Sequence, residues 1–479
     1  MNAVIQAAPA TILFAPLAMN QTRFFKAVGD RLEEHGYRTA YVCFHECSHE
    51  WLVARTARSY NAFALQPKDP DSVDLERYKV PHVNLLLEHE KAAYEVYDTQ
   101  RLLRKFKGHL HAMSAVLDDL ERQAPCSIHL VQELGGFLSA LAAYYAARAR
   151  GIDNWFIEPS FFRGRVFFTR NSLSAPPVAG TGTSQVSPEV KEYLDRIVRQ
   201  QEVVIPKKDS HHYRGVTAKL TDSRNVWRLL EKMRDKYLLG KREEFEHVGG
   251  HVRRHVRMFV NSLRLRRYYR PLAQVSPFVY YPLHVPADFA LTIRSPEYLD
   301  QYSLIDFICR TVPHSHKVAI KEHPALVGAM SLSRMTDLLR RHDNLILLDP
   351  RINNYEVLRL ADAVITVNSK SGAEALLLGK QVLVLGDAFY RSCHQARAVE
   401  RLEDLPQSVN HVLDQHEPHQ REAIYPYFQQ VWNCSHPGEL YDMTEENIHV
   451  FAASLVSVLK RGFHTAEEHE AFDDPMQTH

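Results

Sequence analysis

The chain has 479 residues, more than one hydrophobic core usually supports, so two α/β domains of roughly 200 residues each are expected. Apolar residues make up 45% and charged residues 24%, a composition that excludes an intrinsically disordered chain and a coiled coil. Lysine plus arginine (58) balances aspartate plus glutamate (57), so no global field points to nucleic acid, and any anion-binding surface must come from local clustering.

Cys43, Cys47, Cys126, Cys309, Cys393 and Cys434 are scattered rather than set in a dense framework, which fits a reducing compartment without disulfides. Residues 1–10 lack a charged region followed by a long apolar run, and no segment reaches the roughly 18 consecutive apolar residues of a membrane-spanning helix. The expected setting is the cytoplasm, with peripheral contact at the inner face of the cell membrane.

The run Thr11-Ile-Leu-Phe-Ala-Pro16, a helical stretch over 22–35 and the run Arg38-Thr-Ala-Tyr-Val-Cys-Phe44 predict a β-α-β unit. A polar stretch over 67–74 and a helical region over about 85–123 come next. Ser127-Ile-His-Leu-Val-Gln-Glu133, Gly135-Gly136, an alanine-rich helix over 137–150 and Asn154-Trp-Phe-Ile-Glu158 predict a second unit. Residues 186–275 read as helical and charged. No acidic side chain occurs from 251 to 287, whereas Arg253, Arg254, Arg257, Arg264, Arg266, Arg267 and Arg270 crowd together. Such a run is either a solvated helix before a domain linker or a dock for anionic lipid or a phosphorylated acceptor.

The second half carries the plainest doubly wound pattern. Phe278-Val-Tyr-Tyr-Pro-Leu283, Lys317-Val-Ala-Ile-Lys321, Asn344-Leu-Ile-Leu-Leu348, Ala363-Val-Ile-Thr-Val367 and Gln381-Val-Leu-Val-Leu385 are nearly continuous in Val, Ile and Leu, as parallel strands buried on both faces require. Helical segments over about 400–460 and a polar tail over 465–479 complete the chain. No repeat at a solenoid period occurs.

In open α/β sheets ligands bind beyond the carboxyl ends of the strands, so the residues just after each strand carry the chemistry. Lys321-Glu-His-Pro324 offers a cation and an imidazole to a phosphate. Asn368-Ser-Lys-Ser-Gly-Ala-Glu374 opens a helix with small hydroxyl residues and Gly372, so that N–H groups, the Ser369 and Ser371 hydroxyls and the helix dipole favour an anion there. Glu374 lies one turn in, where a carboxylate accepts hydrogen bonds from ribose hydroxyls. Taken alone, Asn368 to Gly372 is a plain helix cap and His323 a satisfied structural histidine. Their occurrence at two strand ends of one domain, with Gly379-Lys380 and Gly386-Asp-Ala-Phe-Tyr390 further along, favours a nucleotide site.

These segments resemble the capsule polysaccharide synthesis family, which includes retaining β-Kdo glycosyltransferases of bacterial capsule and lipopolysaccharide assembly. Tyr281-Pro-Leu-His-Val-Pro-Ala-Asp288 is similar to the segment opening that family's nucleotide-binding domain, with His284 where the family often has Gln. The resemblance implies a GT-B fold: two Rossmann-like domains facing a cleft, with extra helices. It divides the chain into an acceptor-side domain with a helical insertion at 1–275, a nucleotide-sugar-binding domain at 276–445, a helix at 446–463 placed to cross back, and a loose tail at 464–479. It also implies CMP-Kdo as donor and a capsule or lipopolysaccharide glycan, or its lipid-linked precursor, as acceptor. His323, Ser369 and Ser371 would hold the CMP phosphate and Glu374 the ribose, with His284, Lys321, Pro324, Asn368 and Gly372 completing the site. No metal or other cofactor is expected, because the helix N-terminus and the Lys and His groups neutralise the phosphate.

A retaining transfer needs a nucleophilic carboxylate, an inverting one a general base, and either must face the cleft. Glu158 and Glu133 end strands of the first half. Glu158-Pro-Ser-Phe161 resembles a family stretch that in some members reads Glu-Asp-Gly-Phe, with the aspartate as the suspected catalytic group. Pro159 stands in that place, so Glu158 itself is favoured, with Glu133 and Asp288 behind it. Arg163, Arg165 and Asn171 come after Glu158 and are candidates to meet the carboxylate of a sugar acid or the acceptor. His45-Glu-Cys-Ser-His49 contains zinc-ligand residue types without a second cluster at zinc-site spacing, which disfavours a metal centre. A transferase using a UDP-sugar or CDP-alditol, and a non-catalytic GT-B scaffold subunit of an assembly complex, are the alternatives. No Gly-x-Ser-x-Gly, P-loop or Gly-x-Gly-x-x-Gly segment argues for a hydrolase, an NTPase or a dehydrogenase.

Overall fold

A computed structural model of the chain describes residues 10–123, 127–178, 185–205, 232–245, 248–414 and 421–464. Residues 1–9 and 465–479, Cys126 and part of the helical stretch expected over 186–275 lie outside the described residues.

The strands form two sheets. The first contains β1 (Thr11–Phe14), β2 (Arg38–Cys43), β3 (Ser59–Asn61), β4 (Ile128–Glu133), β5 (Asp153–Pro159), β6 (Arg165–Arg170) and, from far along the chain, β14 (His436–Pro437). The second contains β7 (Tyr269–Arg270), β8 (Phe278–Pro282), β9 (Lys317–Lys321), β10 (Leu345–Leu348), β11 (Ala363–Thr366), β12 (Gln381–Val384) and β13 (Ala396–Ala398). Their orders are β14-β6-β5-β4-β1-β2-β3 and β13-β12-β11-β8-β9-β10-β7. The second sheet is parallel throughout; in the first, β6 and β14 run antiparallel to their neighbours. Counted from β1 in the first sheet and from β8 in the second, with β14 and β7 as added edge strands, each sheet holds the 3-2-1-4-5-6 order of doubly wound nucleotide-binding domains.

Helices cover both faces of each sheet, which is why β1, β11 and β12 are buried along their whole length. The second sheet recruits β7 upstream of the expected boundary at 275/276, because Tyr269 and Arg270 pair with Leu347 and Leu348 of β10. The helix Pro188–Gln200, expected within the first domain, likewise shares an apolar cluster with both domains: Val190, Leu194 and Ile197 lie with Phe161 and Phe162 on one side and Tyr355 and Leu376 on the other. The helix Glu445–His464 returns to the first domain. Phe451, Leu455 and Leu459 join Phe24, Phe25 and Leu32 in one core, with Phe24 and Phe451 edge to face at 5.0 Å. No described helix is long and apolar enough to cross a membrane.

Candidate functional site

A doubly wound sheet opens a crevice where its strand order reverses. In the second sheet that point lies between β8 and β11, so the chain after β8, carrying His284 and Asp288, faces the chain after β11, carrying Asn368 to Gly372. In the first sheet it lies between β1 and β4, beside Glu133. There Gln21, on the helix Met19–Glu34 that comes after β1, donates to Glu133 Oε2 at 2.8 Å, and the Tyr441 hydroxyl donates to the same oxygen.

Ser369 caps the helix Lys370–Leu377, its Oγ accepting from the Ser371 N–H at 3.2 Å. The Tyr390 hydroxyl donates to the Ser369 carbonyl at 2.5 Å, and a side chain at Gly372 would meet that hydroxyl at 2.4 Å. Only glycine lets the helix start pack so closely. Asn354 Nδ2 donates to Ser371 Oγ at 3.0 Å and to Glu374 Oε2 at 2.6 Å, joining the two residues. Burial pushes the Glu374 carboxyl up to about 7, although Asn354, Lys321 and Lys370 pull it down.

Lys321 is buried and near enough to Glu374 for the two charges to act on each other. Its Nζ donates to the Ile352 carbonyl at 2.8 Å, and burial pushes it down to about 8 against the pull of Glu374, Glu356 and Asp349. His323 Nδ1 accepts from the Ala325 N–H at 3.3 Å, and burial lowers its pKa to about 4. At neutral pH it is therefore an uncharged ring whose Nε2 carries the proton and can donate a hydrogen bond. Pro324, exposed, opens the single turn Pro324–Leu326. The cation nearest the helix start is Lys370, whose Nζ reaches the Ser160 carbonyl of the first domain at 3.4 Å.

Two buried atoms at the switch point have no hydrogen-bond partner among the described residues, His284 Nε2 and Asn368 Oδ1. Their neighbours are fixed: Asn368 Nδ2 donates to the Ala290 carbonyl at 2.6 Å and to Ser295 Oγ at 3.2 Å, and the Gln301 side-chain amide accepts from the His284 N–H at 2.8 Å and donates to the His284 carbonyl at 3.1 Å. A polar ligand would supply the missing partners.

The three candidate carboxylates differ in freedom. Glu158, at the end of β5, is gripped by Arg294 through Nη2–Oε1 (2.6 Å) and Nη1–Oε2 (3.1 Å). Glu133 is held by Gln21 and Tyr441. Asp288 keeps 43% of its side chain exposed against 17% for Glu158; its Oδ1 accepts from the Ala290 N–H at 3.0 Å and its Oδ2 lies 3.9 Å from His284 Nδ1. Desolvation opposes ionisation of Asp288, but His284, the Ala290 N–H and His323 outweigh it and hold the carboxyl below its usual range.

Three expected ligand residues are not brought to this crevice. Arg163 points outward, 59% exposed and 3.8 Å from Glu202. Arg165 is committed to the returning segment: it donates to Ser435 Oγ at 2.8 Å and the Trp432 carbonyl at 3.0 Å and stacks 4.0 Å over the Trp432 ring. Asn171 holds a left-handed turn, φ 54°, by bonding Asp153 and the Asn154 N–H. His45 and His49 bond Ser48 and Ser59, and no group of three metal-ligating side chains occurs among the described residues. Arg294, Asn354, Lys370, Gln21 and Tyr441 enter the site without having been singled out. Of these only Lys370 carried a signal, sitting inside the Asn368 to Glu374 motif.

Two Rossmann-like domains, a nucleotide-type crevice in the second and a C-terminal helix crossing back to the first define the GT-B fold. The chain belongs to the capsule polysaccharide biosynthesis protein family, whose model matches residues 141–393, more than half of it. Protein FixF of Sinorhizobium fredii (strain NBRC 101917 / NGR234) is 34% identical over 133 residues, a match that spans 27% of this chain and 32% of that protein's length. Among solved structures, the KpsC beta Kdo 2,7 transferase of Thermosulfurimonas dismutans aligns at TM-score 0.34 and 15% identity over 78% of this chain and 96% of its own. A putative UDP-N-acetylglucosamine 2-epimerase from Listeria monocytogenes aligns at 0.31 and 12% over 97% and 99%. Likenesses of that degree decide neither donor nor linkage.

Proposed function

We propose that the protein is a glycosyltransferase that moves a sugar from a CMP-activated donor, CMP-Kdo in the first instance, to a capsule or lipopolysaccharide glycan or its lipid-linked precursor at the inner face of the cell membrane. The observation that carries this reading is the serine-capped helix start at residues 368–372, set at the switch point of the second sheet beside the unpartnered His284 Nε2 and Asn368 Oδ1. The donor phosphate lies against the N-terminus of the helix Lys370–Leu377, with Ser369, Ser371 and the His323 Nε2–H as donors. Glu374, steadied by Asn354, accepts from the ribose. The helix dipole and Lys370 offset charge on the leaving CMP, so no metal is required.

We assign the reacting carboxylate to Asp288. Its carboxyl is held below its usual range and is partly exposed, whereas both Glu158 oxygens are engaged by Arg294 and Glu133 is bonded to Gln21 of the first domain. In a retaining transfer the Asp288 carboxylate bonds to the anomeric carbon as its bond to the CMP phosphate oxygen breaks, and the acceptor hydroxyl then displaces the carboxylate, passing its proton to the released CMP phosphate. Thermal-shift measurements with CMP, CDP, UMP and UDP test the donor, since a ligand that binds the folded state raises the melting temperature. CMP is expected to give the largest shift; no response to CMP overturns the reading. Asp288→Asn is expected to abolish transfer and keep the CMP shift, and near-wild-type turnover would remove Asp288 from the mechanism.

The engagement of Glu133 and Glu158 in contacts that hold the chain together favours a second reading, a non-catalytic scaffold. Silence across the nucleotide panel would select it, while a shift with UDP alone would select a UDP-sugar transferase.

A further inference from the structure

The helix Val248–Leu265 seals one face against the protein. Met258, Asn261, Ser262 and Leu265 are buried, and Asn261 Nδ2 donates to the Gly328 and Met330 carbonyls at 3.2 Å each. The approach is close enough that a side chain at Gly328 (φ +84°) would meet the Met258 carbonyl at 2.0 Å. Toward the first domain, Arg254 donates to the Ala93 carbonyl at 2.7 Å and Arg257 pairs with Glu95 at 2.8 Å. The helix therefore bridges the loop after His323-Pro324 in one domain and the end of the helix Val83–Tyr94 in the other.

Its opposite side is unusual for a soluble surface. Val256, Val260 and Leu263 are 58%, 37% and 45% exposed and, at i, i+4 and i+7, form one stripe. Tyr97, 74% exposed, lies close enough to Arg257 to act on its charge. Arg253 and Arg264 border the stripe and Arg267 and Arg270 continue beyond the helix, all exposed. Of the neighbouring cations, Arg257 is paired with Glu95 and Arg266 feels Asp349; the chain itself supplies no carboxylate from 251 to 287.

We propose that this face docks on an anionic lipid surface. A soluble polyanion would satisfy the arginines but gain nothing from the apolar stripe. A second copy packed through the stripe about a two-fold axis would set arginines against arginines. A membrane interface answers both: apolar side chains enter the acyl boundary, a tyrosine sits at headgroup level, and arginines meet lipid phosphates. Docked so, the helix sets both domains against the surface.

Flotation of the full chain with phosphatidylcholine vesicles, with and without phosphatidylglycerol, tests this independently of the donor assignment. The wild type is expected to float with the anionic vesicles and to lose binding in high salt. Val260→Asp with Leu263→Asp, and separately Arg264→Glu with Arg267→Glu, should each weaken partition by more than about tenfold. Melting temperature and any CMP-induced shift should stay unchanged, which separates lipid docking from nucleotide binding. If the aspartate pair lowers the melting temperature, Val260→Ser with Leu263→Ser makes the same comparison. Absence of flotation, or flotation unaffected by the stripe variants, would overturn the proposal. So would a lipid-free dimer that the stripe variants dissociate, because it assigns the face to a second copy.

Discussion

Arg294 reaches from the second domain to grip Glu158 of the first through two nearly parallel bonds, and the same guanidinium donates to the Leu173 and Ser174 carbonyls at 2.8 Å each. With side-chain exposures of 9% and 17%, the pair is mostly removed from water, and its fork geometry resists sliding of one domain past the other. Arg294→Ala leaves a carboxylate and two carbonyls short of a donor and is expected to cost about 3 kcal/mol, whereas Glu158→Gln keeps part of the fork and costs about 1 kcal/mol. In urea unfolding the double variant should fall short of the sum by about 1 kcal/mol or more. Strict additivity would show that the pair does not couple the domains.

Glu374 titrates near 4.5 when unfolded and near 7 when folded, so between those values the folded protein keeps a proton that the unfolded chain has lost. Its contribution to stability is fully present below pH 4.5 and is lost as pH rises through about 7, a change of up to about 3 kcal/mol. Glu374→Gln has no such loss. The melting temperature of the variant minus that of the wild type should therefore climb from pH 4.5 to 7. Glu322, also pushed up to about 7 by burial, is common to both proteins and cancels. A flat difference across that window would mean that Glu374 is ionised in the folded state.

The strands of the second half are legible in the sequence because parallel strands covered on both faces are apolar at nearly every position, as β11 and β12 are apart from Thr366 and Gln381. The turn at 368–372 is legible because helix starts demand small hydroxyl residues, and its place at a switch point comes from the strand order. Arg294 is not: it is a single arginine in a loop, and its partner lies 136 residues away. Asn354 is equally silent, since a polar residue at the start of a helix gives no hint that it joins Ser371 to Glu374. Arg165 misleads for the opposite reason. Proximity in sequence to Glu158 suggests the cleft, but β6 runs antiparallel to β5 and carries Arg165 to the returning chain.

Gly372→Ala would place a methyl group 2.4 Å from the Tyr390 hydroxyl and 2.6 Å from its Cζ. The ring is fully buried and its hydroxyl holds the Ser369 carbonyl, so neither partner can give way freely. A loss of about 1–3 kcal/mol in urea unfolding is expected. The CMP-induced thermal shift should disappear with it, because the Ser369 turn moves. Ser371→Ala, which removes one hydroxyl without crowding, should leave stability within about 1 kcal/mol and diminish the shift. An intact shift in both variants would place the nucleotide away from this turn.

Arg165 provides the sharpest contrast between the two readings of one residue. Burial lowers its pKa to about 10, and its bonds to Ser435 and Trp432 are reinforced nearby by the Gly164 N–H to Glu439 bond at 2.8 Å and the pairing of β14 with β6. Arg165→Lys keeps the charge but loses the fork and the planar stack over Trp432, so it should destabilise the fold by about 2 kcal/mol. Limited proteolysis should then cut faster between 435 and 445, where the chain leaves β14 for the helix Glu445–His464. A residue that recognised the sugar carboxylate would behave in the opposite way. Its lysine variant would raise the KM for the donor and leave both melting temperature and proteolysis unchanged, and that pattern would return Arg165 to the binding site.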